Sequence, residues 1–132
     1  MTDRIQAAQT DEEYVRARWQ RVQYAETGLT GAGPCYVTIN AGDHPTAGST
    51  IFMEHGPTKE AVFSAAAEPT RQREREIAEL REEIKALGIA IKGERMRDFE
   101  ATATVLERTL ARLQRDLAVL LKGWREQDGG TK

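Results

Sequence analysis

Phe99, Ala103, Leu106, Leu110, Leu113, Leu117, Leu120 and Trp124 recur at intervals of 4, 3, 4, 3, 4, 3 and 4 residues, an unbroken heptad stripe. That spacing gathers all of these side chains on one face of an α-helix, whereas a strand would scatter them over two faces. Upstream, Ile77, Leu80, Ile84, Leu87 and Ile91 repeat at intervals of 3, 4, 3 and 4. Two such stripes joined by a short polar stretch predict a long antiparallel helical hairpin of coiled-coil type. Gly93 is the expected stop of its first helix, and Ile84 is expected near Leu106 and Ile77 near Leu113. At ~1.5 Å per residue, about 30 helical residues extend about 45 Å, more than a small neighbouring sheet can cover. The stripe therefore implies assembly, and a homo-oligomer is expected.

The hairpin is bounded at its start by Gly56-Pro57, after which Thr58 is placed to cap a helix opened by Lys59, Glu60 and Ala61. Pro69 interrupts this pattern. It lacks a backbone donor and crowds the preceding turn, which predicts a kink or short break near Glu68.

The N-terminal half is different. Asp11 to Trp19 (DEEYVRARW) predicts a short helix, because early carboxylates suit its positive end and Val15 and Trp19 share a face. Three strands follow, at 21–26 (RVQYAE), 35–40 (CYVTIN) and 49–53 (STIFM), where Val22 and Tyr24, and Val37 and Ile39, alternate with polar neighbours. The Gly/Pro-rich stretches between them are short enough to predict an antiparallel meander. The fold class is α+β: a short helix, a small three-stranded antiparallel sheet, then the hairpin. The expected organisation is an arm over 1–10, a sheet region over 11–56, the hairpin over 57–127 and a tail over 128–132. Aromatic residues are only 6% of the chain and charged residues 30%, so most of the core must be aliphatic.

Charge and cysteine usage remove several classes of function. Met1 to Pro69 holds 5 Lys/Arg against 9 Asp/Glu, and Thr70 to Gln127 holds 13 against 11. Neither part has the clustered basic face of a phosphate-backbone binder, so no nucleic-acid partner is expected. Cys35 is the single cysteine, which rules out an internal disulfide. No run approaches the ~20 apolar residues of a membrane helix, and no leader pattern is visible. A cytoplasmic protein without a membrane partner is expected.

Cys35, His44 and His55, with Asp43 and Glu54 beside the histidines, match no common zinc spacing, so no metal site is expected. A Cys35–His nucleophilic pair lacks an orienting third group. Gly28, Gly31 and Gly33 precede a strand, whereas a phosphate-cradling glycine loop leads into a helix. No catalytic residue and no cofactor is assigned, and an enzyme is not expected. Arg71, Arg73 and Arg75 read mostly as a solvated face, although arginines beside a helix junction can grip a phosphate. Trp19 reads as a core residue or as a stacking platform for a base, with Arg16, Arg18 and Arg21 nearby.

The run Glu13-Tyr14-Val15-Arg16-Ala17-Arg18-Trp19, with Val22 after it, resembles the opening of small phage-type proteins that begin with Tyr-Val-Arg and a Trp. Glu60-Ala61-Val62-Phe63-Ser64-Ala65-Ala66-Ala67 resembles a second segment of theirs, with Phe63 in place of a Trp and Pro69 where a Phe is expected. A small sheet followed by long helices is similar to the organisation of the Thoeris anti-defence sponges. Over about 70 residues, the resemblance implies a counter-defence protein that sequesters a small cyclic nucleotide signal without cleaving it, in a dimer or larger ring. Trp19, Arg21, Phe63 and Arg71 are the ligand-binding residues expected from chemistry, rings for a base and guanidinium groups for phosphates. The competing expectation is a protein–protein inhibitor or adaptor of anti-CRISPR type that presents the hairpin.

Overall fold

A computed structural model describes residues 10–26, 34–41 and 50–125. The glycines at 28, 31 and 33, Asp43, His44 and the tail 128–132 lie outside these residues. The elements are α1 (Asp11–Arg18), β1 (Arg21–Glu26), β2 (Cys35–Asn40), β3 (Thr50–Gly56), α2 (Lys59–Met96) and α3 (Glu100–Leu120). This is the expected α+β order. The chain divides into two compact units, Met1–Gln72 with Lys122–Lys132, and Arg73–Leu121.

In the first unit, Thr10 closes a capping box with Glu13, each side chain bonding the other's backbone N–H at 3.1 and 3.0 Å. Thr10 therefore belongs to the helix start rather than to an N-terminal arm, because its hydroxyl meets a donor the first turn would leave unpaired. The sheet is an antiparallel meander, β1-β2-β3. Tyr24 and Glu54 flank Val37, and Val22 and Phe52 flank Ile39. β3 runs to Gly56, past the expected end at Met53, so His55 sits on a strand and not in a loop.

Residues directly opposite one another share a face, and this register collects Val22, Tyr24, Val37, Ile39 and Phe52 on one side. The beginning of α2 and Trp19 cover it: Phe63 lies 5.9 Å from Tyr24 and Trp19 lies 5.8 Å from Phe52, centroid to centroid. Val15, Val37, Ile39, Val62 and Ala66 are fully buried there. Thr58 caps α2 as expected, accepting from the Ala61 N–H at 3.1 Å.

No break occurs near Glu68, since α2 runs unbroken through Pro69. Proline removes one donor from the turn, but the neighbouring Thr70 is fixed at both ends. Its hydroxyl donates to the Ala66 carbonyl at 2.7 Å and accepts from Trp19 Nε1 at 2.9 Å.

Trp124 continues the heptad spacing but leaves the helix. α3 ends at Leu120, and Gly123 turns the chain with φ +75. A Cβ at Gly123 would stand 3.0 Å from the Asn40 carbonyl oxygen, so glycine alone fits both the conformation and the space. The segment beyond it pairs antiparallel with the end of α1. The Gln20 N–H donates to Gly123 at 2.8 Å and the Arg125 N–H to Arg18 at 2.7 Å. The Trp124 ring then meets Trp19 edge-on at 4.8 Å, in the core of the first unit.

In the second unit, the later part of α2 and α3 pack against each other as an antiparallel hairpin. α2 passes Gly93 and stops at Met96. Asp98 adopts φ 64, the Phe99 N–H reaches the Glu94 carbonyl at 2.8 Å and the Asp98 N–H reaches Arg95 at 3.1 Å. This is the Schellman pattern, with aspartate in the position glycine usually fills. Moving the turn to Arg97–Asp98 shifts the facing register. Leu87 shares a hollow with Thr109, Arg112 and Leu113, further along α3 than the expected Ile84–Leu106 pairing allows. Arg95 locks the tip, bonding Glu107 at 2.7 Å and Glu100 at 3.1 Å. Ile77, Ile91 and Ala103 are buried, whereas Leu80, Ile84, Leu87, Leu106, Leu110 and Leu113 are only half-buried. Among the described residues, no helix is long and apolar enough to cross a membrane.

Candidate functional site

The eight residues of α1 present three chemically distinct faces. Val15 enters the core. Asp11, Tyr14 and Arg18, at helical spacing, form a surface face, and Glu12 and Arg16 form another.

On the first surface face, the half-buried Tyr14 ring is flanked by two guanidinium groups, Arg18 with Cζ 4.7 Å from the ring centroid and Arg71 at 5.5 Å. Arg71 comes from α2, where Glu68 holds it at 3.0 Å and Asp11 at 3.3 Å. Its side chain remains 43% exposed, so these are solvent-screened pairs that an incoming anion can replace. The result is an aromatic ring with two planar cations over it, and one of them, Arg71, is paired with solvent-exposed carboxylates.

On the second surface face, Glu12 accepts from Arg16 at 2.9 Å and pairs with Lys59 at 3.3 Å. The hydrogen bond from Arg16 and the nearby Lys59 hold the Glu12 carboxyl below its ordinary range. Arg16 also lies 5.3 Å over Phe63, and Lys59 lies 5.4 Å over Tyr24. A hollow of about 210 Å³ opens here, lined by Thr10, Asp11, Glu12, Lys59, Glu60 and Phe63. Three carboxylates against one ammonium make it a poor place for a phosphate. At the end of β1, the Tyr24 hydroxyl donates to the exposed Glu26 at 3.0 Å. Its hydrogen bond with the Cys35 thiol, then burial and Glu26, push its ionisation well above the ordinary phenol value. A phenol so held is no base.

The four residues expected to bind a ligand do not converge. Trp19 is 1% exposed and its ring edges and faces are taken by Phe52, Trp124 and the Thr70 hydroxyl, so it offers no open surface to a base. Phe63 is likewise 1% exposed, set against Tyr24 with Arg16 above it. Arg21 is exposed at the start of β1, opposite Asn40 and on the sheet face away from Phe63. Arg71 alone stands at the surface beside an accessible ring. That ring is Tyr14, which is not among the four expected ligand-binding residues although Tyr14 and Arg18 have helical i, i+4 spacing. Cys35 and His55 lie on opposite faces of the sheet, since Cys35 pairs with Gly56 and Tyr36 with His55, so they cannot form a nucleophilic pair. Among the described residues, no group of three His, Cys, Asp or Glu side chains could hold a metal ion. The chain matches no family model, no curated protein and no solved structure.

Proposed function

We propose that this protein is a non-enzymatic, cytoplasmic binding protein of phage counter-defence type that sequesters a small cyclic nucleotide signal without cleaving it. The observation that carries the reading is Tyr14 beneath Arg18 and Arg71. Planar guanidinium groups bond phosphate oxygens in pairs, and if Arg71 leaves its exposed carboxylates for a phosphate, the half-exposed Tyr14 ring beneath it is available to stack on a base. The resemblance of the Glu13–Trp19 run to small phage-type proteins, with an organisation similar to that of the anti-defence sponges, supports the same class of ligand. Isothermal titration with cyclic ADP-ribose isomers and cyclic oligonucleotides tests it. At least one should give a saturable heat that Tyr14→Ala and Arg71→Ala each weaken by more than about tenfold. No heat and no thermal stabilisation across the panel would remove the reading.

A second reading is a protein–protein inhibitor or adaptor. It is favoured by the exposed Ile89, Met96 and Phe99 near the hairpin turn, at 65%, 81% and 51% exposure. A host protein retained through a high-salt wash and lost on Met96→Glu would support it over the first.

A further inference from the structure

The two flanks of the hairpin differ in chemistry, and one of them has the composition of a helix-packing surface. On one flank, α2 carries Arg81, Lys85, Lys92 and Arg95, and Arg95 ties Glu100 and Glu107 of α3. That flank carries four cations and is bridged near the turn, where a smaller hollow of about 390 Å³ is lined by Gly88, Ile91, Lys92, Arg95 and Met96.

The opposite flank contains the hollow of about 470 Å³ lined by Glu83, Ala86, Leu87, Ala90, Thr109, Arg112 and Leu113. Val105 and Val119 extend it along α3 at 57% and 61% exposure, and Ala86 and Ala90 are exposed on α2. Leu87 and Leu113 at its floor are half-buried. A helix with one neighbour can cover only part of an aliphatic seam, whereas in a four-helix bundle each helix has two. Small residues at Ala86 and Ala90 let another helix approach closely.

Charge selects the occupant and its orientation. On this flank α2 carries Glu76, Glu79 and Glu83, whereas α3 carries Arg112 and Asp116 and so has no net charge. Packing α2 of one copy on α2 of another would bring two acidic rows together, which like-charge repulsion disfavours. Packing α2 on the α3 of a second copy avoids this. Glu83 and Arg112 line the same hollow, so they lie at one height along the hairpin. A two-fold axis parallel to the hairpin therefore sets Glu83 of each copy beside Arg112 of the other.

We infer that the hairpin pairs with that of a second copy through the flank of Ala86, Ala90, Val105 and Val119, as a four-helix bundle with α2 against the partner's α3 and both turns at the same end. This surface is separate from the Tyr14–Arg71 face, and the inference stands whether or not a nucleotide binds there. Light scattering and equilibrium sedimentation on the full chain test it. The expected mass at micromolar concentration is twice the 14.7 kDa of the chain. Ala90→Arg, at an exposed helical position that leaves the hairpin's own seam untouched, should weaken association by more than about tenfold with helix content retained. Glu83→Arg and Arg112→Glu should each weaken it several-fold, and the double variant should restore it. A single-chain mass for the unmodified protein, or an unchanged mass for Ala90→Arg, overturns the surface. Tighter association of Glu83→Arg alone overturns the orientation, since that outcome belongs to α2 packed on α2.

Discussion

The two units of this chain bury apolar surface by opposite means. The first closes its core with a few large rings, Trp19, Trp124, Phe52 and Phe63, and satisfies the polar atoms among them, down to the Trp19–Thr70–Ala66 relay. The second relies on aliphatic side chains spaced along two helices, and most of those side chains remain half-exposed. Rings set at fixed angles complete a core within one chain. A linear seam does not close on itself, and its remaining surface is available to another molecule.

The largest expected effect breaks this contrast most directly if it fails. Trp19→Ala removes a ring that is 1% exposed and takes the indole donor from the buried Thr70 hydroxyl, and should destabilise the first unit by about 3–5 kcal/mol. Leu87→Ala, at a half-buried hairpin position, should cost about 1 kcal/mol in the isolated chain. Both tryptophans belong to the first unit, so their fluorescence reports it while far-ultraviolet circular dichroism reports mainly the helices. Denaturant titrations followed both ways should separate the two losses. Equal destabilisation by the two variants would erase the distinction drawn here.

Next in size is Gly123→Ala. A methyl group at φ +75, 3.0 Å from the Asn40 carbonyl oxygen and 3.1 Å from Ala41, should destabilise the first unit by about 2 kcal/mol. The change should appear in tryptophan fluorescence, because Gly123 delivers Trp124 to Trp19. A variant as stable as the parent would mean that the C-terminal segment does not complete that core.

These residues also mark what could be read before the structure. The three strands and the Thr58 cap follow from short-range chemistry, period-two alternation and a hydroxyl before a helical run. Thr10-Asp11-Glu12-Glu13 carries an equally local capping-box signal, which extends the helix start back to Thr10, beyond the expected boundary at Asp11. The end of β3 was missed because Glu54-His55-Gly56 has no apolar alternation to extend. Trp124 fits the heptad count, and only Gly123 before it signals that the chain turns away. The hairpin register depended on which residue would take the left-handed turn position. Gly93 has the residue type that favours it, but Asp98 takes it, and Leu87 shares its hollow with Thr109, Arg112 and Leu113. The candidate site was half legible: Tyr14 and Arg18 are neighbours on one short helix, but Arg71 meets Asp11 across 60 residues, and no local pattern encodes that contact.

Asp98 provides a smaller test, confined to the second unit. Aspartate tolerates the left-handed region better than most residues but still pays a steric penalty that glycine avoids. Asp98→Gly should therefore stabilise the hairpin by about 0.5–1 kcal/mol, with no change in the fluorescence-detected transition. A loss of stability would show that the Asp98 side chain itself contributes more than its backbone strain removes.

The smallest effect concerns acid. Glu12 in the first unit and Glu107 in the second both have carboxyls held below the ordinary value of 4.5, Glu12 mainly by the hydrogen bond from Arg16 and Glu107 mainly by that from Arg95. A lowered folded value means that the folded state binds its proton less readily than the unfolded chain. The stabilisation is therefore fully present above the ordinary value and disappears as the pH falls through the folded one. Both pairs are partly solvated, so each contribution is small and weakened by salt. Urea midpoints measured from about pH 6 to about pH 3 should fall less steeply for Glu107→Gln in the dichroism-detected transition, and less steeply for Glu12→Gln in the fluorescence-detected one. If either substitution flattened both transitions alike, the units would share one cooperative unfolding step, and the difference between a closed core and an open seam would concern packing without local stability.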